Sequence, residues 1–524
     1  MKKIIFVSVL FIFIIVFSLQ TYNASNFKLT YYYKLLGSDK DLTAVNFSND
    51  EEGNLVILYN SNIGTAIISK LDNNGQILDT YSIISTNQIN SLIKAYYIAR
   101  DGNYNLILAS LSTLCECANY GLLLKIKDRN IIWAKSFFVG LDVLVKKVVV
   151  DYDGNYLVLA SAKVSQGGYD LLIMKFDPNG NLLWYKLYGG QGNEYPEDII
   201  ASFGDEYLVL GKEEGSNKGL IILSIDKDGN LKWSKLFNID ISEDIATSFN
   251  VESRYVIFGN IENTAFILSI DRTGAIYYSK SYDENLKINI FGLNKNSEGG
   301  FIAVGSVQIM GVEKAIFLKF DENLSQIASY VLDEQNTRFK ASSQAMNSNI
   351  IFGDKDRNKL ILLKASLDLT YPSSDMFLPI SFPLKDLAIN SNNLELNVST
   401  QAIYISNADL TIETSNITTL DGVEVLVDPS VTTVTVRIRT TLTRYETQYI
   451  TTITTSTAIT KTSSITNLVN YTTTVYSTSP TSTTVTNTRT TIVFGINYTD
   501  PMVIATLIVA FLIGLGIAVA FRRI

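Results

Sequence analysis

From about residue 29 to 370 the chain alternates short apolar runs with polar clusters that carry Gly, Asn or Asp, the pattern of strands joined by tight turns. Six segments align with one another: KLDNNGQILDTY (70–81), KIKDRNIIWAKSF (125–137), KFDPNGNLLWYKLY (175–188), SIDKDGNLKWSKLF (224–237), SIDRTGAIYYSKSY (269–282) and KFDENLSQIASY (319–330). Their equivalent positions, 72, 127, 177, 226, 271 and 321, recur with a period near 50, and NKLILLKASLDL (358–369) is a degenerate seventh copy. About 20 residues before each turn another apolar run follows a turn, as in GNLVILY (53–59), GNYLVLAS (154–161) and GGFIAVG (299–305). Four strands in each period of 45–50 residues predict the blade of a β-propeller.

The count gives an all-β, seven-bladed propeller of four-stranded blades over 27–370, with blades at 41–84, 91–138, 142–188, 196–237, 243–282, 287–330 and 338–367. The last copy stops after its third strand, while residues 32–37 match the outer-strand phrase Trp184-Tyr185-Lys186-Leu187-Tyr188-Gly189 with no strands before them. Segment 27–36 is therefore expected to complete the last blade and close the ring, which removes free sheet edges.

Asp177-Pro178-Asn179-Gly180 raises a choice between a cation loop and a turn. As a turn, Asp bonds the local backbone, Pro presets φ at the second place and Gly takes the fourth. A calcium loop would need an acidic residue at its twelfth place, where Tyr188 stands. The three tryptophans, Trp133, Trp184 and Trp233, share one blade position that Tyr278 takes in the next repeat, which suits packing between blades better than a cofactor frame.

The period together with the phrases DPNGNLLW (177–184) and DKDGNLKW (226–233) resembles the quinoprotein-like β-propeller superfamily, which includes repeat proteins of archaeal and bacterial cell surfaces. Quinoprotein dehydrogenases of that superfamily usually have eight blades and a disulfide between adjacent cysteines. Here the count is seven and Glu116 separates Cys115 from Cys117, so the resemblance carries fold and no quinone. A composition rich in Ile, Asn, Lys and Tyr, with a C-terminal anchor and a Thr-rich stalk, looks archaeal.

The ends address the compartment. Lys2 and Lys3 precede an uncharged run over 4–19, the pattern of a signal peptide at 1–25 or of a retained anchor. Residues 502–521 hold no charge and match the length of a membrane-spanning helix, with Arg522 and Arg523 following in a cytoplasmic tail, 522–524. This predicts a cell-membrane protein with most of the chain outside. Thr506, Ala510, Gly514 and Ala518 give the helix a small-residue stripe for self-association. Residues 371–430 keep alternating apolar positions, as in LELNVSTQAIYIS (394–406), and read as a small β-rich domain, a sandwich or a collar. A Thr/Ser-rich stalk is expected over 431–498, since 431–491 holds 26 Thr, 6 Ser and one acidic residue; a β-hairpin is the alternative.

Composition then narrows the chemistry. With no histidine, Ser-His-Asp triads, Cys-His dyads and the usual zinc sets are excluded, and a net charge of −8 argues against nucleic acid. Cys115 and Cys117 are the only thiols and, outside the cell, are expected to pair with each other, to pair with another molecule, or to remain free or metal-bound. Asn46, Asn323, Asn397, Asn416, Asn470 and Asn497 head glycosylation sequons. Asp41, Asp142, Asp198 and Asp244 each open a predicted first strand, and at one height around the axis they would form an oxygen-only ring suited to Ca2+; the alternative is backbone hydrogen bonding at strand starts. No other cofactor is expected. The functional expectation is a surface-anchored binding, adhesion or scaffold module for an extracellular protein or glycan, against a propeller enzyme acting on glycan or with a quinone cofactor, or a structural component of a surface layer.

Overall fold

The computed structural model describes residues 29–427 apart from 39, 87–91, 113–117, 165–167, 191, 203–205, 216–217, 243–248, 252–253, 263, 297, 346–347, 368–375, 409 and 416, together with 433–442, 451–461 and 493–494. The signal region, the 502–521 segment, Cys115, Cys117, Asp244, Asn416, Asn470 and Asn497 lie outside the described residues. Among the described residues no helix is long and apolar enough to cross a membrane.

Seven antiparallel sheets stand in chain order: 42–85, 92–139, 143–189, 193–237, 249–282, 288–332 and 337–365. These are the seven expected blades, with starts and ends within a few residues of the sequence reading where they are described. The innermost strand of each lies along the axis, and the inner strand of blade 7 (Thr337–Ala345) comes back against that of blade 1 (Leu42–Asn49), so the ring closes. Strand Leu29–Gly37 pairs antiparallel with Lys359–Ala365 as the outer strand of blade 7, in the register Tyr32↔Lys364 to Gly37↔Lys359.

There is no single core. Seven apolar clusters each fill one junction between neighbouring blades. Blade strands apolar on both faces bury alternate residues in the two flanking junctions, which is why the inner pair of strands in each blade reads as a near-continuous apolar run. In blade 3, Leu157 and Leu159 face blade 4 while Val158 and Ala160 face blade 2. Ion pairs within a blade, each bonded by a tyrosine of the next blade, stitch the same junctions. Lys125 Nζ lies 2.8 Å from Asp101, which also accepts from Tyr156 Oη at 2.6 Å, and one blade on Lys175 Nζ lies 2.8 Å from Asp151, which accepts from Tyr207 Oη at 2.8 Å.

The Asp177-Pro178-Asn179-Gly180 segment is a turn. The Asp177 carboxylate accepts the Asn179 and Asn181 amides, and Gly180 adopts φ +79°. Trp133 of blade 2 donates its indole N–H to the Pro178 carbonyl, Trp184 to Lys227 and Trp233 to Arg272, each on the turn of the next blade. A Cβ on Gly180, Gly229 or Gly274 would fall about 3 Å or less from the docked indole, so glycine is required there by the ring as well as by φ. Tyr278 takes the same role, its hydroxyl donating to the Leu324 carbonyl.

Six blades are five-stranded, which corrects the four-stranded expectation, and of the two readings of 371–430 the collar rather than the sandwich holds for the described residues up to Leu420, which belong to the same compact unit as the blades. Short strands Phe377–Pro379, Leu384–Asp386, Ser391–Asn393, Asn397–Ser399, Ile403–Asn407 and Leu410–Thr414 add in turn to the outer edges of blades 6, 5, 4, 3, 2 and 1. They form a belt around the rim. The alternating apolar residues that suggested a sandwich instead turn inward onto the junctions, for example Leu394 and Leu396 at blades 3 and 4 and Ile403 and Ile405 at blades 2 and 3. Within the region read as a stalk, Thr433–Leu442 and Thr451–Lys461 pair antiparallel, so the hairpin alternative holds for those residues; with 418–427 they make a three-stranded meander.

Candidate functional site: a ring of bulges around the axis

Every inner strand described along its length carries a one-residue bulge near its middle. The bulged residues are Val45, Tyr96, Lys146, Glu197, Phe291 and Lys340, from blades 1, 2, 3, 4, 6 and 7. All six line an axial cavity of about 870 Å3. A bulge turns a side chain out of the alternation of its strand and is a device for aiming residues at a site. Because the six comprise five residue types, with lysine only in blades 3 and 7, the propeller's near-symmetry is broken at this level.

Contacts between neighbouring blades hold the ring. Lys146 Nζ is 3.0 Å from Glu197, and Lys147 Nζ 2.5 Å from Asp198. The Asp198 carboxylate also accepts its neighbour's Ile199 amide at 2.6 Å and is 1% exposed. Burial raises Asp198 above the usual carboxylate range; at Lys147 burial pulls downward, but the Asp198 charge outweighs it and holds the ammonium above its ordinary value. Lys340 Nζ lies 3.8 Å over the Phe291 ring, and Lys94 Nζ 5.2 Å over that of Tyr96. Aromatic faces, amides such as Asn49 and Asn60, and lysines thus share one mouth.

Of the four aspartates expected to form a ring, Asp244 lies outside the described residues, and the other three do not stand at one level of their strands. Asp41 and Asp142 stand four residues before the bulge of their strand, whereas Asp198 stands one residue after it. The phrases DLTAV, DVLVK and DIIAS look alike, but the bulge places them in different registers. The Asp142 carboxylate accepts the Asn119 amide at 2.7 Å and Tyr169 Oη at 2.7 Å, which is the backbone-bonding alternative, and the Asp41 carbonyl accepts the Asn62 amide. Among the described residues no three acidic or cysteine side chains converge closely enough to hold a metal ion. Of the described sequons, Asn323 and Asn397 are exposed, while Asn46 lines the cavity with its side-chain oxygen accepting the Phe47 amide.

Behind the ring, Asp354 accepts the Ala44 amide at 2.5 Å, tying blade 7 to blade 1 just before the bulge. Burial pushes its carboxyl up to about 6 from 3.8, partly offset by that amide and by Lys340 and Arg338. The native state therefore holds the Asp354 proton more tightly than the unfolded chain, so this stabilisation is full below pH 3.8 and is lost as pH rises through 6. Asp354→Asn is expected to stabilise the fold at pH 8 by up to about 3 kcal/mol, at ~1.36 kcal/mol per pKa unit, seen as a higher melting temperature, and to leave the melting temperature unchanged at pH 3.5. Melts of both proteins across that range check the prediction; equal gains at the two pH values would contradict it.

No family model matches the chain, and no curated protein does. Among solved structures, the chain is similar to a subtype N10 neuraminidase-like protein of A/little yellow-shouldered bat (10% identity, covering 64% of this chain and 98% of that one, TM-score 0.34). It is similar also to Drosophila Semaphorin 1a, extracellular domains 1-2 (8%, 63% and 87%, TM-score 0.39), and to YCF48 from Cyanidioschyzon merolae (9%, 63% and 98%, TM-score 0.38). Likeness at this level adds nothing to what the strand order and the seven junctions already establish: the chain is a seven-bladed β-propeller.

Proposed function

We propose that this chain is a cell-surface-anchored binding module that presents the axial mouth of its propeller to an extracellular protein or glycan, as a member of the quinoprotein-like surface propellers. The observation that carries the reading is the bulge ring: six side chains of five residue types aimed into one cavity on a closed scaffold. The signal-like start, the uncharged 502–521 segment and the arginines after it support display outside the membrane. Binding is favoured over hydrolysis because Glu197 and Asp198, the acidic side chains among the described cavity residues, are both engaged by lysines.

The test is a screen of full-length protein in detergent against arrayed glycans and secreted proteins, repeated with Tyr96→Ala combined with Phe291→Ala. A ligand whose affinity falls about tenfold or more in the double variant supports the mouth as the site, since each buried aromatic contact is worth on the order of 1 kcal/mol. Ligands bound equally by both proteins would move the function elsewhere. Protease cleavage of the propeller on intact cells is expected, and its complete protection would count against surface display.

A further inference from the structure

Away from the axis, the junction of blades 3 and 4 holds three carboxylates with no counter-charge among the described residues. Asp170 lies on strand Tyr169–Phe176, Glu194 on Asn193–Ser202 and Glu213 on Glu206–Glu214. Glu194 and Glu213 are direct cross-strand partners, a pairing in which like charges repel. Both are buried, at 1% and 6% exposure, and the Oε2 atom of each has no hydrogen-bond partner among the described residues. Glu194 Oε1 accepts the Gly190 amide at 3.0 Å. The basic neighbours in sequence are occupied: Lys212 pairs with Glu214 at 2.6 Å, and Lys163 lies over the Tyr169 ring.

The backbone has been kept bare around these groups. A Cβ on Gly189 would fall 2.1 Å from Asp170 Oδ1, one on Gly190 3.0 Å from Glu194 Oε1, and one on Gly192 3.1 Å from Glu213 Oε1. Chain segments are thus drawn against the carboxylates with no side chain between. Buried carboxylate oxygens left without donors cost several kcal/mol each unless a cation or a proton compensates them, and polar atoms of this kind in a native fold call for an explanation. Burial raises the carboxyls of Asp170 and Glu213, and raises that of Glu194 to about 7 with further upward pressure from Asp170 and Glu213.

We propose that Glu194 and Glu213 are the carboxylate ligands of a calcium site at the blade 3–blade 4 junction, completed by water and by backbone carbonyls of the neighbouring glycines Gly189, Gly190 and Gly192. Two carboxylates, carbonyl oxygens and water form an oxygen-only set, which suits a hard cation that takes six to eight ligands; Mg2+ is disfavoured because it holds its waters in strict octahedral geometry. Asp170 adds negative charge beside the site without needing to touch the ion. The site is distinct from the axial cavity, so it stands whether or not that cavity binds a ligand.

Calorimetric titration of chelator-treated, full-length protein in detergent with calcium chloride is the test. One site is expected, with affinity on the order of 10⁻⁴ M as in extracellular modules, together with a higher melting temperature in calcium and a weaker response to magnesium. Glu213→Gln and Glu194→Gln should each weaken binding at least about tenfold, the step that ~1.4 kcal/mol represents. Near-UV circular dichroism establishes that each variant is folded, and either folded variant suffices. Absence of heat from the wild type up to about 10⁻² M calcium, or heats unchanged in a folded variant, overturns the proposal. A variant that gains stability without calcium while wild-type heat is absent would identify the pair as sharing a proton instead.

Discussion

A chain lacking residues 29–37 is expected to lose the monomeric propeller altogether. This one strand seals two junctions at once, because its alternate side chains face opposite ways: Tyr32 and Leu36 pack between blades 7 and 1, Tyr33 and Leu35 between blades 6 and 7. The Tyr32 ring also sits on Gly75, where a Cβ would fall 2.7 Å away, and Lys34 Nζ donates to the Asn74 and Gly75 carbonyls at 2.8 and 2.9 Å. Burying these four large apolar side chains is worth on the order of 10 kcal/mol at ~1.5–3 kcal/mol each. That equals the whole stability of an ordinary domain, ~5–15 kcal/mol. Deletion also bares the edge of strand Lys359–Ala365, a template for association. Size-exclusion chromatography and thermal melts check this; a monomer that melts as the full chain does would contradict the closure.

The second large effect belongs to the belt. A chain ending at residue 367 is expected to keep its blade pattern but to melt far lower and to self-associate. It would lose the buried Phe377, Phe382 and Ile417 and the half-buried Leu394, Leu396, Ile403, Leu410 and Ile412. The three fully buried residues alone represent about 6 kcal/mol. Six outer strands would stand uncovered, including the exposed Leu183 and Tyr277 on their outward faces. Comparison of this chain with one ending at residue 427, by melting and by rate of proteolysis, reads the effect; equal melting temperatures would show that the belt is carried passively.

What was legible followed from repetition. The Asp-x-x-Gly turns recur because each blade needs the same hairpin, and each turn also receives an aromatic side chain from the blade before, so two constraints wrote one phrase. The ring closure was legible through a missing strand at one end and an unmatched strand at the other. The belt was not, because strands of three residues, such as Ser391–Asn393, lie below the length at which alternation separates an added edge strand from an independent sheet. The bulges were invisible for a related reason: one skipped residue leaves the apolar pattern of DVLVKKVVV intact while shifting Lys147 onto the level of Asp198. The Glu194–Glu213 pair depends on register across a hairpin, which similar phrases such as GNEYPED and GKEEG do not announce.

The belt runs against the order of the blades. Its first strand meets a partner close in sequence, Phe377 on Leu332, 45 residues away, and its last meets one far away, Ile412 on Ile83, 329 residues away. Closing a loop of that last size in one step carries a high entropic cost, but with each docking the next strand has only a few residues of slack to take up. Assembly should therefore run as a zipper, from blade 6 backward to blade 1, after all the outer strands exist. The converse also holds. Tension applied at the C-terminal end of the belt strips blade 1 first and must release four further strands in sequence before blade 6 is reached, so extension by force should show a ladder of small steps before any blade opens.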